Sequence, residues 1–421
     1  MDKLVIEGSR RLEGTVTISG AKNACLPILA ATLLTDEKSV IRNIPKLRDM
    51  GTMVKILKNL DVKVEQDGDV ITVEPKGYKK HTAPYELVST MRASICVLGP
   101  LIAKHRFAKV SFPGGCVIGP RPIDLHLKGL RALGVDLKVE GGYIIADGKK
   151  LRGANVYLGG HFGSSVLATA NTMMAATLAK GVTVIENAAC EPEVEDLATF
   201  LIKMGAKIKG HTTHRIIIEG VKCLHGAEHS VIHDRIEAGT YMLAAAITKG
   251  DVTLKNARLE HLVAVADKLT EAGLSITKVP NGIRARHVKK LKPMDVATLP
   301  YPGFPTDMQA QFMSLMAVTE GISVITEKIY PERFIHISEL GRMGADIILE
   351  GPNAIVKGVK YLSGAPVMAS DLRASAGLVL AGLVAKGRTE VNRIYHLDRG
   401  YERLEGKLTS LGAKVWREKE K

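Results

Sequence analysis

The chain reads as an α/β protein of two domains, each made of three repeats of about 70 residues. Two recurring phrases and the chain length predict this. One phrase recurs as LRALGVDLKV (130–139), LIKMGAKIKG (201–210), LTEAGLSITK (269–278), LGRMGADIIL (340–349) and LTSLGAKVWR (408–417), with glycines at 134, 205, 273, 344 and 412. An earlier copy, ILKNLDVKVE (56–65), puts Asp61 in the glycine slot. A second phrase lies between these, as ATLAKGVTVIEN (176–187), AAITKGDVTLKN (245–256), AVTEGISVITEK (317–328) and LVAKGRTEVNR (383–393). The 421 residues are enough for two or three domain cores.

Taken in order, each repeat opens on a helix. A glycine ends it, because the left-handed cap conformation costs glycine least, and the alternating Val, Thr and Ile that follow suit a pleated strand. A second helix comes next, closed by the Gly-Ala turn, and then a strand pair such as GAKIKGHTTHRIIIEG (205–220). Six such α-β-α-β-β units divide most naturally into three per domain. A solenoid would need a shorter, more uniform strand period than this chain shows.

Composition narrows the function classes. Hydrophobic residues make up 46% and charged residues 24%, the balance of a soluble globular chain. The longest apolar stretch, ASAGLVLAGLVA (374–385), is too short to span a bilayer, so no membrane partner is expected. The opening MDKLVIEGSRRLEG has no apolar secretory core, which makes a cytoplasmic location the expectation. Five scattered cysteines (25, 96, 116, 190 and 223), with no Cys-x-x-Cys pair, argue against a disulfide framework or a cysteine-built zinc site. The net charge of +14 could serve nucleic acid, but aromatics are only 4% and the basic residues form no dense run. Solubility and attraction of small anions is the preferred reading, with no nucleic-acid partner.

Aligning the first helices on their cap glycines brings their starts into register: SGAKNA (19–24), STMRAS (89–94), GSSVLA (163–168), HDRIEA (233–238), PTDMQA (305–310) and ASDLRA (369–374). Ser165, Asp234, Asp307 and Asp371 read there as N-caps. Lys22, Arg92, Arg235 and Arg373 are not explained that way, because a cation opposes the positive end of a helix dipole. Such cations suit an anion that the dipole also favours, so a multiply phosphorylated or carboxylated ligand is expected. The stretch SFPGGCVIGPRP (111–122) holds a single thiol, Cys116, between two turns. A Pro-Gly-Gly turn is a poor place for an inert core cysteine.

Together SGAKNA, TMRAS, FPGGCVIGPRPIDLH, DRIEAGTY, FPTDMQAQF, ASDLRAS and YHLDRGYERLEGKL closely resemble the UDP-N-acetylglucosamine 1-carboxyvinyltransferases, over essentially the whole chain and in order. The resemblance implies the two-domain enolpyruvyl transferase fold, an inside-out α/β barrel of six βαβαββ-type repeats. It also implies that the N-terminal segment packs with the last three repeats. The expected domains are 21–229, carrying Cys116, and 1–20 with 230–421. The implied reaction moves the enolpyruvyl group of phosphoenolpyruvate to the 3-hydroxyl of UDP-N-acetylglucosamine, as the first committed step of peptidoglycan synthesis. It needs no metal and no organic cofactor.

By the same resemblance Cys116 is the general acid, able also to attach to the phosphoenolpyruvate-derived unit and to be alkylated by fosfomycin. A thiol with an ordinary pKa of about 8.5 keeps its proton near neutrality, so either role is open to it. Gly114, Gly115 and Gly119 suit a mobile loop over the substrate. Asp307 is the base, or the group that orients the hydroxyl. Lys22, Arg121 and Arg399 match the cations around phosphoenolpyruvate, with Asn23 beside Lys22. Arg92 and the run Arg121, Pro122, Ile123, Asp124 and Leu125 match contacts to the nucleotide sugar, as does Ile329 through its backbone. Asp371 and Arg373 match a pair near the site. Where the family usually shows S-V-G-A-T, this chain has SSVLAT (164–169), which aligns Ser164 and Ser165 with the diphosphate contacts. His225, His229 and His233 have helical metal spacing, but Gly226 interrupts them and HSVIHD reads as extended. Two other readings are an enolpyruvyl transferase acting on shikimate 3-phosphate and an RNA-end-binding or RNA-end-processing relative. Cys116 in FPGGC argues against the first, and the second has no use for such a thiol.

Overall fold

The computed structural model describes residues 2–8, 10–114 and 122–419. They fall into two compact units, one of residues 20–114 and 122–232, the other of residues 2–19 and 233–419. Each unit has its own hydrophobic core.

Every repeat contributes one four-stranded sheet with the same plan. A short strand lies parallel to a longer one, which pairs antiparallel with an inner strand, and in all but the sixth sheet that inner strand forms a hairpin with the outer one. In the second repeat Thr82–Ala83 is parallel to Phe107–Ser111, which pairs with Tyr143–Asp147 and then Asp136–Glu140. In the fifth, Val296–Ala297, Ile322–Thr326, Asn353–Lys357 and Asp346–Glu350 repeat that order. Two strands come from the chain's beginning. Asp2–Glu7 lies between Arg388–Asn392 and Lys414–Lys419, and Glu13–Thr17 runs parallel to Asp251–Lys255. The first sheet is completed from far along the chain by Glu228–Ser230, parallel to Ser39–Arg42.

The first helix of each repeat is apolar all round and the second is amphipathic, so the first goes to the centre of its unit and the second to the outside. Helix Leu372–Val384 is buried from Leu372 to Leu383. It meets Arg235–Ile247 and Gln309–Ala317 in the middle of one unit. Small residues permit the close approach, since a Cβ on Gly377 would lie 2.9 Å from the carbonyl oxygen of Ala310. In Arg48–Asn59, by contrast, only one face turns inward, through Asp49, Met50, Met53, Ile56 and Leu57.

The turn column has left-handed backbone at Asp61 (φ 64°) as well as at the five glycines, Gly134 to Gly412 (φ 83° to 121°). The strand-entry glycines need one correction. Gly181, Gly321 and Gly387 are left-handed, but in AAITKGDV the left-handed residue is Lys249 (φ 53°) rather than Gly250. Gly250 is instead required by space, since a Cβ there would stand 2.3 Å from the carbonyl oxygen of Leu12. Among the described residues no helix is long and apolar enough to cross a membrane.

Candidate active site

In the unit of residues 20–232, Lys22 opens helix Lys22–Ala31, where its ammonium is buried and 3.2 Å from Asp49 Oδ2. Asp49 lies in the first turn of Arg48–Asn59, whose dipole favours the carboxylate. Asn23 follows, half-buried. Arg92 begins the 3-10 turn Arg92–Val97 and donates from Nη2 to the Pro122 carbonyl at 3.0 Å. Pro122 and Asp124 are exposed, Ile123 is buried, and Leu125 is in the first turn of helix Asp124–Ala132. Leu125 is brought beside the small hairpin of Gly159–Gly160 and Gly163–Ser164, since a Cβ on Gly160 would come 3.1 Å from its Cδ1. Ser165 then caps helix Val166–Ala176 through the Ala168 amide. Cys116 and Arg121, like Gly115 and Gly119, lie outside the described residues.

In the other unit, Asp234 and Asp371 cap their helices as the repeat alignment predicts. Asp307 does not. It lies inside the 3-10 turn Thr306–Met308, and neither Pro305 nor Met308, at the N-cap positions of the turn and of helix Gln309–Ala317, makes a side-chain cap. Its oxygens turn instead to Arg333 Nη1 at 2.8 Å and Arg373 Nε at 3.4 Å. Charge-assisted bonds of this kind outcompete a neutral backbone donor. Arg333 Nη2 is also 3.6 Å from Asp371 Oδ1, and Arg373 Nη2 is 3.7 Å from Asp234 Oδ2. Arg373 stacks its guanidinium over Tyr401 at 5.1 Å and donates to the Gly400 carbonyl. That carbonyl adjoins Arg399, the last residue of the 3-10 turn Leu397–Arg399. Ile329 is half-buried, and its amide donates to Glu327 Oε1 at 2.9 Å.

Both buried guanidiniums hold their protons more firmly than an ordinary arginine. Burial opposes this in each case, but Asp371 and Asp307 outweigh it at Arg333, and Tyr401, Asp234 and Asp307 outweigh it at Arg373. The cluster is therefore a partly exposed carboxylate fixed between two permanent cations. It can take up a hydroxyl proton or hold a hydroxyl in place, and it can hold an anion.

Arg333 and Asp49 were not singled out from the sequence. Arg333 did leave a signal. Eleven residues before the turn residue the repeats carry Met50, Ile123, Val194, Leu262, Arg333 and Tyr401, all buried, so Arg333 is a cation in an apolar column. The histidines separate. His229 bonds the buried Asp196 at 2.9 Å and faces Lys203, while His225 Nδ1 lies near the Gly226 carbonyl. Among the described residues no group of three or more His, Cys, Asp or Glu could hold a metal ion.

Residues 6–408 match the family EPSP synthase (3-phosphoshikimate 1-carboxyvinyltransferase). The UDP-N-acetylglucosamine 1-carboxyvinyltransferase of Methylacidiphilum infernorum (isolate V4) is 55% identical over 417 residues, covering 99% of both chains. That of Myxococcus xanthus (strain DK1622) is 55% identical over 423 residues, covering 100% of both. Among solved structures, the enolpyruvyl transferase NikO from Streptomyces tendae superposes with a TM-score of 0.89 at 23% identity, over 99% of this chain and 98% of its own. An EPSP synthase from Acinetobacter baumannii gives 0.77 at 17% identity over the whole of both chains. At those identities the two structures speak for the fold alone.

Proposed function

Since the chain belongs to the EPSP synthase family and, within it, to the UDP-N-acetylglucosamine 1-carboxyvinyltransferases, we propose that it transfers the enolpyruvyl group of phosphoenolpyruvate to UDP-N-acetylglucosamine. The observation that carries this reading is identity of 55% along the full length of relatives so named. The 3-hydroxyl adds to C2 of phosphoenolpyruvate while C3 takes a proton, giving a tetrahedral ketal. Phosphate then leaves as C3 gives a proton back, and the enolpyruvyl ether remains. In peptidoglycan synthesis this is the first committed step. We assign it to the cytoplasm, a reducing compartment in which a lone thiol stays free.

Cys116 supplies the proton for C3. Asp307 takes up or orients the hydroxyl proton, and Arg333 and Arg373 hold its carboxylate in one place. Lys22, Arg121 and Arg399, with Asn23, meet the phosphate and carboxylate of phosphoenolpyruvate, where fixed cations stabilise the charge that develops. Arg92, Pro122, Ile123, Asp124, Leu125, Ser164, Ser165 and the Ile329 backbone meet the nucleotide sugar. Asp371 caps the helix that presents Arg373. The reaction requires neither a metal nor an organic cofactor.

The test is phosphate release from phosphoenolpyruvate with each acceptor offered separately. Release should require UDP-N-acetylglucosamine, and shikimate 3-phosphate should give none. Turnover with shikimate 3-phosphate alone would overturn the assignment.

A further inference from the structure

Six residues after the strand-entry glycine, the repeats leave their sheet at Asn187, Asn256, Glu327 and Arg393, and the first repeat does so at Asn43. Asn43, Asn187, Asn256 and Arg393 turn the chain with left-handed backbone, at φ 61°, 55°, 67° and 56°. Asparagine tolerates that conformation at small cost. Glu327 is not among the left-handed residues; its side chain organises the turn instead. Oε1 accepts from the amides of Ile329 at 2.9 Å and Tyr330 at 3.0 Å and from Thr298 Oγ1 at 2.6 Å. Oε2 accepts from Thr306 Oγ1 at 2.9 Å. The residue is 0% exposed.

A buried carboxylate is costly unless its oxygens are fully hydrogen-bonded. Other repeats leave the same strand without one, so the fold does not require it. What sets this repeat apart is that it carries Asp307 and Arg333. Thr306 is the relay from Glu327 to Arg333, because its hydroxyl donates to Glu327 and accepts from Arg333 Nη1 at 3.0 Å. The same nitrogen reaches Asp307 Oδ1 at 2.8 Å.

We propose that Glu327 is a positioning residue for the transfer: it ties the turn bearing Asp307 to the segment from Ile329 to Arg333, and so fixes how both meet the acceptor. The role rests on the transferase reading above. Glutamine in its place turns one acceptor into a donor. With its amide oxygen kept on the two backbone N–H groups, its NH₂ faces the Thr306 hydroxyl and competes there with Arg333.

Steady-state phosphate release by the full chain tests this in Glu327→Gln, Glu327→Asp and Thr306→Val. In Glu327→Gln, kcat should fall roughly 100-fold, the usual effect of small misplacement. Its KM for UDP-N-acetylglucosamine should rise several-fold while that for phosphoenolpyruvate changes less than about twofold, since only the acceptor side is disturbed. Glu327→Asp, which keeps the charge, should recover part of kcat. Thr306→Val cuts the relay but spares the Ile329 and Tyr330 bonds, so it should lower kcat without raising either KM. The double variant should then be no slower than Glu327→Gln. Constants within twofold of wild type, or a loss that unfolding alone accounts for, would overturn the role. If wild type releases no phosphate with UDP-N-acetylglucosamine, the transferase reading itself fails. In that case faster amide exchange over residues 328–333 in Glu327→Gln still supports the tie to that segment, and unchanged exchange removes it.

Discussion

Replacing Arg333 with methionine should destabilise the unit of residues 2–19 and 233–419 by about 4 kcal/mol, and the size follows from what is left behind. The guanidinium is 6% exposed. Methionine fills much of its volume with a flexible apolar chain, so the cavity contribution is small. The cost lies in the carboxylates. Asp371, with 7% of its side chain exposed, loses the cation 3.6 Å away, and a buried charge stripped of its partner costs about 3–5 kcal/mol. Asp307 is 28% exposed and keeps Arg373 at 3.4 Å, so solvent screening limits its share to about 1 kcal/mol or less. Adding Asp371→Asn to Arg333→Met should then return half or more of the loss. Asparagine caps a helix as well as aspartate does, so the bonds to the Arg373 and Ala374 amides survive while the stranded charge goes. Urea unfolding followed by Trp416, the chain's single tryptophan, reports on this unit, and wild type, both single variants and the double close the cycle. A double variant as unstable as the sum of the singles would refute the stranded-charge account. Phosphate release by Arg333→Met should fall roughly 100-fold in parallel, because Asp307 loses one of its two anchors.

Two further outcomes are expected. The neutral imidazole of His336 is held by burial first and then by the charge of Arg333, against the pull of Asp371, so that its pKa is pushed down to about 4. At this site the folded state binds fewer protons than the unfolded state between about pH 4 and pH 6.5, so the contribution of His336 to stability is lost as pH falls through that window, by about 2 kcal/mol from pH 6.5 to pH 5. His336→Gln should flatten this limb in urea unfolding at pH 7 and pH 5, and an unchanged slope would count against it. Cys116→Asp should keep measurable phosphate release, because a carboxylic acid with a raised pKa can also give C3 its proton, whereas Cys116→Ser should be much poorer. Fosfomycin should inactivate wild type but not Cys116→Asp. Burial pushes the Cys96 thiol up to about 12 and the Cys190 thiol up to about 11, so neither offers much thiolate, and an adduct on them by mass spectrometry would contradict the role given to Cys116.

What the sequence disclosed and what it hid divide along a physical line. The sign of a backbone torsion is a local property, so the column of turn residues could be read in advance, down to Asp61 standing in for glycine. The same holds for the caps at Ser165, Asp234 and Asp371, each satisfied by amides two or three residues away. Pairing across long stretches of chain leaves no such trace. Nothing in DKLVIE says that Asp2–Glu7 will lie between Arg388–Asn392 and Lys414–Lys419. Asp307 shows the limit of the local rule. It stands 14 residues before its glycine where Asp234 and Asp371 stand 16, and the shortened spacing goes with a 3-10 turn that frees its side chain for Arg333 and Arg373. The offset was visible; the identity of its partners was not.

The cations at the helix starts are expected to meet an anionic ligand, and each of the four already meets a protein group. Lys22 meets Asp49, Arg92 meets the Pro122 carbonyl, Arg235 lies over the Tyr301 ring at 5.5 Å, and Arg373 meets Asp307 and Asp234. That does not remove the case for a ligand, because at Arg373 the partners do not use every donor. Arg373 is 1% exposed, yet its Nη2 has no hydrogen bond within the described residues and only the longer ion pair to Asp234. A buried donor left unmade costs about 1–3 kcal/mol, so a purely structural role would favour an arrangement that satisfies it. The neighbouring interior is arranged the same way, with Gln309 Oε1, Gln311 Oε1 and Ser370 Oγ also lacking hydrogen-bond partners among the described residues. Asp307, Arg333 and Asp371 meanwhile hold the surrounding charges in fixed positions. Arg373 Nη2 is itself sealed from solvent, so an arriving carboxylate or phosphate would meet the charge of the guanidinium rather than this donor, and the cost of ordering and desolvating that cation is met during folding rather than at binding.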